Sequence, residues 1–365
     1  MKALTSNSVE QLLYKWTLDQ EIRDQIVSMV VQDEKTGVTG IFPQELDQDL
    51  KNALEKNDIK SLYTHQLSAY DHLNTGNNVV IVTGTASGKS LCYNLPILNA
   101  LLRDPRKTAL YLFPTKALTQ DQYQKLNLLL GKIPSNRIIP AVAMYDGDTP
   151  SETRRKIREN ARIIFSNPDM LHTGIMPYHM LWDRFFSGLS YVVLDEAHYY
   201  RGVFGSHIAN LIRRMKRLFN HYQSNPQFIL TSATIANPLE FSEKLIGAPF
   251  SLIDEDGSPK GKRYFLMYNP PVIDEKLGIR KSVNAETQLL AKDILNKDAQ
   301  SIFFMRTRKS VEVLYKELKT RFPLYSPHIY SYRSGYLPSE RRKIEKDIRE
   351  RRSKVTISTN ALELG

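Results

Sequence analysis

The run Thr85-Ala86-Ser87-Gly88-Lys89-Ser90 combines small side chains, a lysine and a hydroxyl in an order suited to binding phosphate. Four β-branched aliphatic residues, Val79–Val82, precede it and predict a strand buried on both faces, and a helical pattern begins at Lys89. The amides of such a turn and the N-terminus of the next helix attract an anion. The sequence therefore predicts a phosphate-binding loop, although Thr83 stands where the G-x-x-x-x-G-K-[ST] pattern has glycine.

A second cluster, Asp195-Glu196-Ala197-His198, follows the apolar run Tyr191–Leu194, which predicts another buried strand. Because open parallel sheets bind ligands at the carboxyl ends of their strands, we expect this cluster to face the phosphate loop. Its aspartate would hold Mg²⁺ together with Ser90, and Lys89 would contact the β- and γ-phosphates of ATP. Its glutamate would polarise the attacking water. The alternative, a charged strand end that faces solvent, is disfavoured because a phosphate loop lies upstream.

A glutamine upstream of the loop is the candidate for adenine recognition. Leu62-Tyr63-Thr64-His65-Gln66 opens a helix that is predicted to run to about Asn74. The amide of Gln66 donates and accepts at once, as an adenine edge requires. A solvent-facing helix residue is the simpler alternative, but the closeness of the phosphate loop in the sequence favours adenine binding.

Composition limits the class of protein. The 365 residues are 41% hydrophobic and carry a formal charge of +11, which favours a polyanionic partner such as nucleic acid without establishing one. Cys92 is the only cysteine, so an internal disulfide is excluded and a small core residue is expected. The sequence has no apolar run of signal-peptide or membrane-span length, so we expect no membrane association and a cytoplasmic protein.

Four strings make a family resemblance specific. With the phosphate loop and the acidic cluster, they follow the motif order of superfamily 2 DExH/DEAH-box helicases over residues 62–365. Within that superfamily the chain most resembles the bacterial mitomycin-repair-factor (YprA-like) type, which is related to the yeast RecQ-like repair helicases. The strings are Leu62-Tyr63-Thr64-His65-Gln66, Leu112-Phe113-Pro114-Thr115-Lys116-Ala117-Leu118, Arg201-Gly202-Val203-Phe204-Gly205-Ser206-His207 and Thr231-Ser232-Ala233-Thr234-Ile235-Ala236-Asn237-Pro238.

The resemblance implies a role for each matching position. The catalytic set would be Lys89, Asp195, Glu196 and His198, and the ATP-binding set would be Gln66, Thr85, Ala86, Ser87, Gly88, Lys89, Ser90 and Gly365. Ser232-Ala233-Thr234 would couple the nucleotide state to domain closure through His198. The positions implied in nucleic-acid binding are Thr115, Lys116, Asn167, Pro168, Asp169, Arg306, Thr359 and Asn360.

Simpler explanations compete at some of these positions. Ser232-Ala233-Thr234 alone would be a short turn, and Thr115 could be an ordinary helix cap. The basic run Arg341–Lys354 interleaves acidic residues, so a solvated helix face explains it better than a DNA groove does. The basic residues between positions 213 and 217 receive the same interpretation.

Strand and helix patterns alternate from Val79 to Thr231, which predicts a parallel sheet with helices on both faces. The βα pattern restarts after residue 285 with three strands. The fold class is therefore α/β, and the resemblance implies tandem RecA-like parallel-sheet domains, the second incomplete. The predicted boundaries are residues 1–57 for an N-terminal extension docked on the first domain, 58–250 for the ATP-binding domain, 251–285 for a linker and 286–365 for the second domain.

The resemblance implies an ATP-dependent helicase or translocase that moves 3′→5′ along single-stranded nucleic acid, in DNA repair. The residues themselves do not distinguish DNA from RNA. Such helicases complete their ATP site with arginines from a motif beyond position 365, so we expect slow hydrolysis unless a partner chain or a further segment supplies them. Three functions stay open: part of an active repair helicase, a non-catalytic protein that binds ATP and nucleic acid, and the motor subunit of a defence or restriction-type complex.

Overall fold

The computed structural model describes residues 4–362 except 135, 234 and 298. The described chain divides into two compact units. The larger unit comprises residues 34–261, and the smaller unit combines the chain up to residue 33 with the chain from residue 262 onwards.

A seven-stranded sheet, in which every pair of neighbouring strands is parallel, forms the centre of the larger unit. Alternate residues along each strand enter two separate apolar clusters, so Val79 and Ile81 pack on one face of the sheet and Val80 on the other. This explains why these strands contain no charged residue and only a few polar ones. Across the sheet the strands are Ser251–Ile253, Val79–Val82, Gln227–Ser232, Leu189–Leu194, Thr108–Leu112, Ile163–Ser166 and Val142–Met144.

Helices connect these strands and supply the apolar side chains that cover both faces. The predicted α/β alternation is confirmed, and buried Cys92 lies in the helix that follows the phosphate loop, as expected. The helices of the larger unit are Gln48–Glu55, Thr64–Asn74, Lys89–Arg103, Lys116–Leu130, Ser151–Asn160, Pro168–Met170, Asp183–Ser187, Gly202–Tyr222 and Pro238–Ile246, with shorter or irregular helical segments at Leu171–Ile175, Met176–Trp182 and Ala197–Tyr199. A short antiparallel pair, Thr39–Gly40 with Leu62–Tyr63, precedes the first long helix.

The smaller unit contains a three-stranded parallel sheet in which Val355–Ser358 lies between Ser301–Phe304 and Ile329–Tyr332. The strands are preceded or connected by the helices Val283–Asn296, Arg308–Arg321 and Pro338–Arg349, and the short helix Gln20–Arg23 lies in the N-terminal part of the unit. Short helical turns lie at Pro323–His328 and Asn360–Leu362. Leu314, Leu318 and Val355 belong to the single apolar cluster that forms the core of this unit.

The N-terminal segment differs from the prediction. Ile26–Gln32 pairs antiparallel with Arg263–Tyr268, and both strands belong to the smaller unit. Helix Leu4–Leu18 is held there by Asp293, which accepts a hydrogen bond from Trp16 Nε1 at 3.0 Å and forms an ion pair with Lys15. Residues up to 33 therefore pack with the C-terminal part of the chain rather than on the first domain, because pairing between such distant segments leaves no trace in local periodicity.

The segment predicted as a linker, residues 251–285, also contains regular structure. Ser251–Ile253 is an edge strand of the large sheet and pairs with the strand that leads into the phosphate loop. Arg263–Tyr268 belongs to the antiparallel pair just described, and Val272–Asp274 pairs with Ile279–Arg280. Three-residue strands beside turn residues are too short to show a period.

Among the described residues, no helix combines the length and apolar character needed to cross a membrane.

Candidate functional site

The phosphate loop, the acidic cluster and Ser232 lie at one edge of the large sheet. They follow or end the strands Val79–Val82, Leu189–Leu194 and Gln227–Ser232, and the last of these lies between the other two. Parallel strands place their carboxyl ends on the same edge, so three segments that are distant in sequence converge there. The structure thus brings together the phosphate loop and the acidic cluster, which are predicted to bind and hydrolyse ATP.

The backbone of the loop requires glycine at one position. Gly88 has a φ of +82°, and a Cβ there would lie 2.7 Å from Gln66 Nε2. Ala86 also has a positive φ, +61°, which is costly for a residue with a side chain. Thr85 and Ala86 are exposed while Ser87 is buried. The middle of the loop therefore presents its main chain to solvent, where a phosphate would bind.

Thr83, the departure from the sequence pattern, has a structural explanation. Its hydroxyl lies 2.6 Å from the Ser87 hydroxyl, and both side chains are buried. A glycine at position 83 could not make this hydrogen bond. The threonine therefore joins the start of the loop to its end, and the loop keeps its turn without glycine at the first position.

Lys89 is held in the concavity of the loop. Its Nζ donates to the carbonyl oxygens of Thr83 at 2.9 Å and Gly84 at 3.1 Å. An ammonium in this position brings positive charge to the site where the loop amides point, as predicted for a phosphate contact. Ser90 is the second residue of helix Lys89–Arg103 and is half-buried.

Asp195 is a buried carboxylate at the adjacent strand end. Its Oδ1 accepts hydrogen bonds from the Thr231 hydroxyl and from the Glu196 amide, the latter at 3.0 Å. Burial raises its pKa to about 6, although the bond from Thr231 and the positive charge of Lys89 act in the opposite direction. A buried carboxylate whose ionised form is disfavoured fits a divalent cation, because the cation restores the favourable charge balance. Asp195 and Ser90 are therefore suitable Mg²⁺ ligands in chemical type and location.

Glu196 adopts a left-handed backbone conformation, with φ +51°. This conformation is uncommon outside glycine and often marks a functional site. Burial raises the pKa of its carboxyl and the nearby charge of Lys89 lowers it. A carboxylate with a raised pKa beside a phosphate site is suited to act as a base toward water.

His198 connects the acidic cluster to Ser232 and Ala233. Its Nδ1 lies 3.2 Å from Glu196 Oε2, 3.4 Å from Ser232 Oγ and 3.4 Å from the Ala233 amide nitrogen. One imidazole thus contacts both the acidic cluster and the next strand end. The contacts agree with the coupling role predicted for these residues, a role that stays a prediction. Thr234 and Gly365 lie outside the described residues.

Gln66 is buried and does not face solvent, so the simpler alternative for this residue is excluded. Its Nε2 donates to the Gly88 carbonyl at 3.2 Å, and its Oε1 accepts from the Tyr63 amide at 2.9 Å. The amide therefore contacts the phosphate loop directly and fixes its own orientation. Adenine recognition by Gln66 stays a prediction.

Two further residues contact the phosphate loop and were not predicted from the sequence. His65 Nε2 lies 3.1 Å from the Ser87 carbonyl oxygen, and Asp256 Oδ2 accepts from the Gly84 amide at 3.1 Å. Asp256 lies in the segment interpreted as a linker. The one sequence signal was the turn string Asp256-Gly257-Ser258, which indicates a turn but not its neighbour in space.

The predicted nucleic-acid contacts of the larger unit lie at the same sheet edge. Thr115 caps helix Lys116–Leu130, accepting from the Leu118 amide at 3.3 Å, so its helix-cap role is confirmed. Lys116 is exposed and forms an ion pair with Asp148 at 2.6 Å. The capping hydroxyl of Thr115 and the exposed Lys116 therefore both lie at the surface. Contact of either group with a phosphate backbone stays a prediction.

The next predicted contact follows the neighbouring strand, Ile163–Ser166. Asn167 caps the following short helix, accepting from the Met170 amide at 2.8 Å. Pro168 is buried and Asp169 is exposed. Of this group, the main chain and the Asp169 carboxylate reach the surface, so Pro168 can act only by shaping the turn.

Predicted contacts in the smaller unit meet at the edge of its own sheet. Arg306 follows Ser301–Phe304 and is exposed, while Thr359 and exposed Asn360 follow the neighbouring strand Val355–Ser358. Thr359 is buried, and its amide donates to the Tyr332 carbonyl at 3.3 Å. Arg306 and Asn360 are therefore the two side chains of this group that can reach a ligand.

Comparison with known proteins identifies the family. The family model for the DEAD/DEAH box helicase matches residues 63–241, which include the phosphate loop and the acidic cluster. Residues 63–241 of the chain are a DEAD/DEAH box helicase domain. The resemblance inferred from the motifs is thereby confirmed.

Individual relatives extend the match across the whole chain. The chain is 45% identical to the uncharacterised ATP-dependent helicase YprA of Bacillus subtilis over 349 residues, 95% of this chain and 46% of that protein. It is 42% identical to the ATP-dependent helicase Hrq1 of Saccharomyces cerevisiae over 314 residues, 84% of this chain and 29% of that protein. The chain thus spans less than half the length of these relatives.

A solved structure agrees with the fold. The crystal structure of the DUF1998 helicase MrfA bound to DNA and AMPPNP matches with a TM-score of 0.91 and 44% identity, over 98% of this chain and 49% of that one. The more distant Dbp5 of Saccharomyces cerevisiae, 20% identical with a TM-score of 0.62, shares the fold.

Proposed function

We propose that this chain is the ATP-binding motor of an ATP-dependent DNA helicase that acts in repair. The observation that carries the proposal is the convergence of Lys89, buried Asp195 and Glu196 at one sheet edge, with His198 in contact with the next strand end. The similar proteins YprA and Hrq1 are ATP-dependent helicases, and the similar structure of the MrfA helicase has DNA and AMPPNP bound.

In this proposal each side chain has a defined task. The loop amides and Lys89 bind the phosphates, Ser90 and Asp195 hold Mg²⁺, and Gln66 orients the adenine. The metal would neutralise charge on the phosphates. Glu196 accepts the proton of the attacking water, and its strained backbone aims the carboxylate.

The substrate is proposed to be single-stranded DNA, and the exposed residues at the strand ends of each unit are the candidate contacts. Asp169, Arg306 and Asn360 reach the surface at positions where strands end. Arg306 supplies positive charge for phosphate, in agreement with a chain of net charge +11. By its resemblance to the repair helicases, the motor moves 3′→5′.

The test combines ATP hydrolysis with strand displacement. The purified chain is incubated with ATP and Mg²⁺ alone, with single-stranded DNA and with single-stranded RNA of the same sequence. DNA should accelerate hydrolysis more than RNA does, and a duplex with a 3′ overhang should be unwound faster than one with a 5′ overhang. Hydrolysis by this chain alone is expected to be slow, so each rate is compared with the rate in ATP and Mg²⁺ without nucleic acid. No stimulation by either nucleic acid would contradict the motor function, and equal unwinding from both overhangs would contradict the polarity.

A further inference from the structure

A turn that follows the edge strand Ser251–Ile253 reaches the phosphate loop. The side chain of Asp256 in this turn is only 8% exposed. Its Oδ2 accepts from the Gly84 amide at 3.1 Å and lies 3.2 Å from Lys260 Nζ. Its Oδ1 accepts from the Ser258 amide at 3.0 Å and from the Ser258 hydroxyl at 2.6 Å. Both carboxylate oxygens are therefore engaged, and one of them holds the start of the phosphate loop.

The charge state of Asp256 follows from these contacts. Burial acts to raise its pKa, but the bonds from Ser258, the Gly84 amide and Lys260 prevail and hold the pKa below its ordinary value. The carboxylate is therefore ionised, and its bond to the Gly84 amide is charge-assisted. Such bonds are roughly twice as strong as bonds between neutral groups.

His65 holds the other end of the exposed loop segment. Its Nδ1 accepts from the Gly257 amide at 3.2 Å, so the ring proton lies on Nε2 and is donated to the Ser87 carbonyl at 3.1 Å. Burial lowers the pKa of His65 although Asp256 acts to raise it, so the imidazole is neutral as this tautomer requires. The ring also stacks on Tyr63, with centroids 5.7 Å apart.

The turn itself is fixed against the rest of the larger unit. A Cβ on Gly257 would lie 2.2 Å from Thr64 Oγ1, so the backbone approaches the start of helix Thr64–Asn74 as closely as only glycine allows. The Gly257 carbonyl accepts from the Val38 amide at 2.8 Å. The turn is thus held in place by the rest of the larger unit, and its position determines where Asp256 contacts the loop.

We propose that Asp256 and His65 are positioning residues that set the shape of the phosphate loop for nucleotide binding. Their two contacts, at Gly84 and Ser87, bracket Thr85 and Ala86, the exposed part of the loop where Ala86 has its positive φ. Because the loop is held at both ends, its amides are oriented toward solvent before a phosphate binds. This preorganisation lowers the conformational entropy cost of binding. This inference rests on the proposed function, since it concerns the same ATP site.

The test measures the affinity of the intact chain for a fluorescent ATP analogue. Asp256→Ala should weaken binding about tenfold, because a charge-assisted bond that orders the loop is lost. Asp256→Asn keeps an oxygen that can accept from Gly84 and should recover part of the affinity. Asp254→Ala removes an exposed carboxylate two residues away and serves as the matched control with unchanged affinity.

Hydrogen–deuterium exchange separates positioning from a general loss of stability. In Asp256→Ala the peptide that contains Gly84–Ser87 should exchange faster, while peptides from the sheet core around Val193 keep the wild-type rate. His65→Ala should weaken binding in the same way, and the double variant should lose less than the sum of the two, because both residues act on one loop.

The outcomes that overturn the inference differ from those that overturn the function. Wild-type affinity in both Asp256→Ala and His65→Ala, or exchange that rises equally throughout the larger unit, refutes the positioning role. A wild-type chain that binds the analogue but shows no DNA-stimulated hydrolysis refutes the motor function and leaves the positioning role in place. Loss of affinity in Asp254→Ala equal to that in Asp256→Ala would show that only the net charge of the turn matters.

Discussion

The two units of this chain have parallel sheets whose strands are buried to different extents. In the larger unit all residues of strand Thr108–Leu112 are buried, and helices cover both faces of the sheet. In the smaller unit strand Ser301–Phe304 alternates, with Ile302 43% and Phe304 56% exposed. The larger sheet buries the Asp195 carboxylate and raises its pKa. After the strands of the smaller sheet Arg306 and Asn360 are exposed, although Thr359 is buried.

The difference indicates which unit is suited to hydrolysis and which is suited to binding a phosphate backbone. Catalytic carboxylates need a low-dielectric environment, and the larger unit provides it at the edge that carries Asp195 and Glu196. Contacts to a phosphate backbone need accessible positive charge, and Arg306 at the edge of the smaller sheet provides it. Four predictions test this division, from the largest expected effect to the smallest.

The first concerns the lysine of the larger unit. Lys89→Ala removes the ammonium that the loop carbonyls hold, so ATP binding and hydrolysis should be lost. Nucleotide titration and a phosphate-release assay measure the two effects. Lys244→Ala, which removes an exposed lysine paired with Glu240, is the matched control. Near-normal affinity in Lys89→Ala would place the phosphate site elsewhere.

The second separates binding from chemistry at the same edge. Glu196→Gln keeps the size of the side chain but cannot accept a proton from water, so hydrolysis should fall by about 10²–10⁴-fold. Nucleotide affinity should stay close to that of the wild type. A phosphate-release assay at saturating ATP measures the change. If turnover persists, another group acts as the base.

The third uses the pKa of Asp195, which burial raises to about 6. Below that pH the carboxyl binds a proton that competes with Mg²⁺, so affinity for ATP with Mg²⁺ should fall about tenfold per pH unit. Affinity measured with the metal chelated should stay nearly constant over the same range. Asp195→Asn should bind ATP with Mg²⁺ weakly at every pH, and an unchanged pH profile in that variant would exclude Asp195 as the metal ligand.

The effect of the same group on folding has the opposite sign. The raised pKa means that the folded state binds the proton more tightly than the unfolded chain, whose ordinary value is near 3.8. This contribution to the free energy of unfolding is present below pH 3.8 and is lost as the pH rises toward 6. Unfolding by urea at several pH values, compared between wild type and Asp195→Asn, measures the difference.

The fourth tests the smaller unit. Arg306→Ala should weaken binding of single-stranded DNA several-fold and reduce the salt dependence of that binding by about one phosphate contact. Affinity for ATP without DNA should not change. Arg342→Ala on the exposed face of helix Pro338–Arg349 is the control and should leave DNA affinity unaltered. A larger loss in Arg342→Ala than in Arg306→Ala would reverse the interpretation of that helix as a solvated face.

Much of the larger unit could be predicted because its information is local. The apolar run Val79–Val82 predicted a strand with the observed bounds, and the run Tyr191–Leu194 predicted the carboxyl-terminal part of strand Leu189–Leu194. The order of motifs predicted which strand ends carry the site. The phosphate loop and the acidic cluster were recognised from residue type and spacing alone. Their convergence followed from the general rule that parallel strands end on the same edge.

What only the tertiary structure decided is the support around that site and the path of the N-terminal segment. The bond from Gly84 to Asp256 joins residues 172 positions apart, and Ile26–Gln32 pairs with Arg263–Tyr268 from the far end of the chain. In neither pair does one segment have a periodicity or a motif that indicates which segment it contacts. The chemical groups of a strand or loop can be identified from its own residues. A contact between distant segments depends instead on how the whole chain packs, and local sequence patterns do not determine that packing.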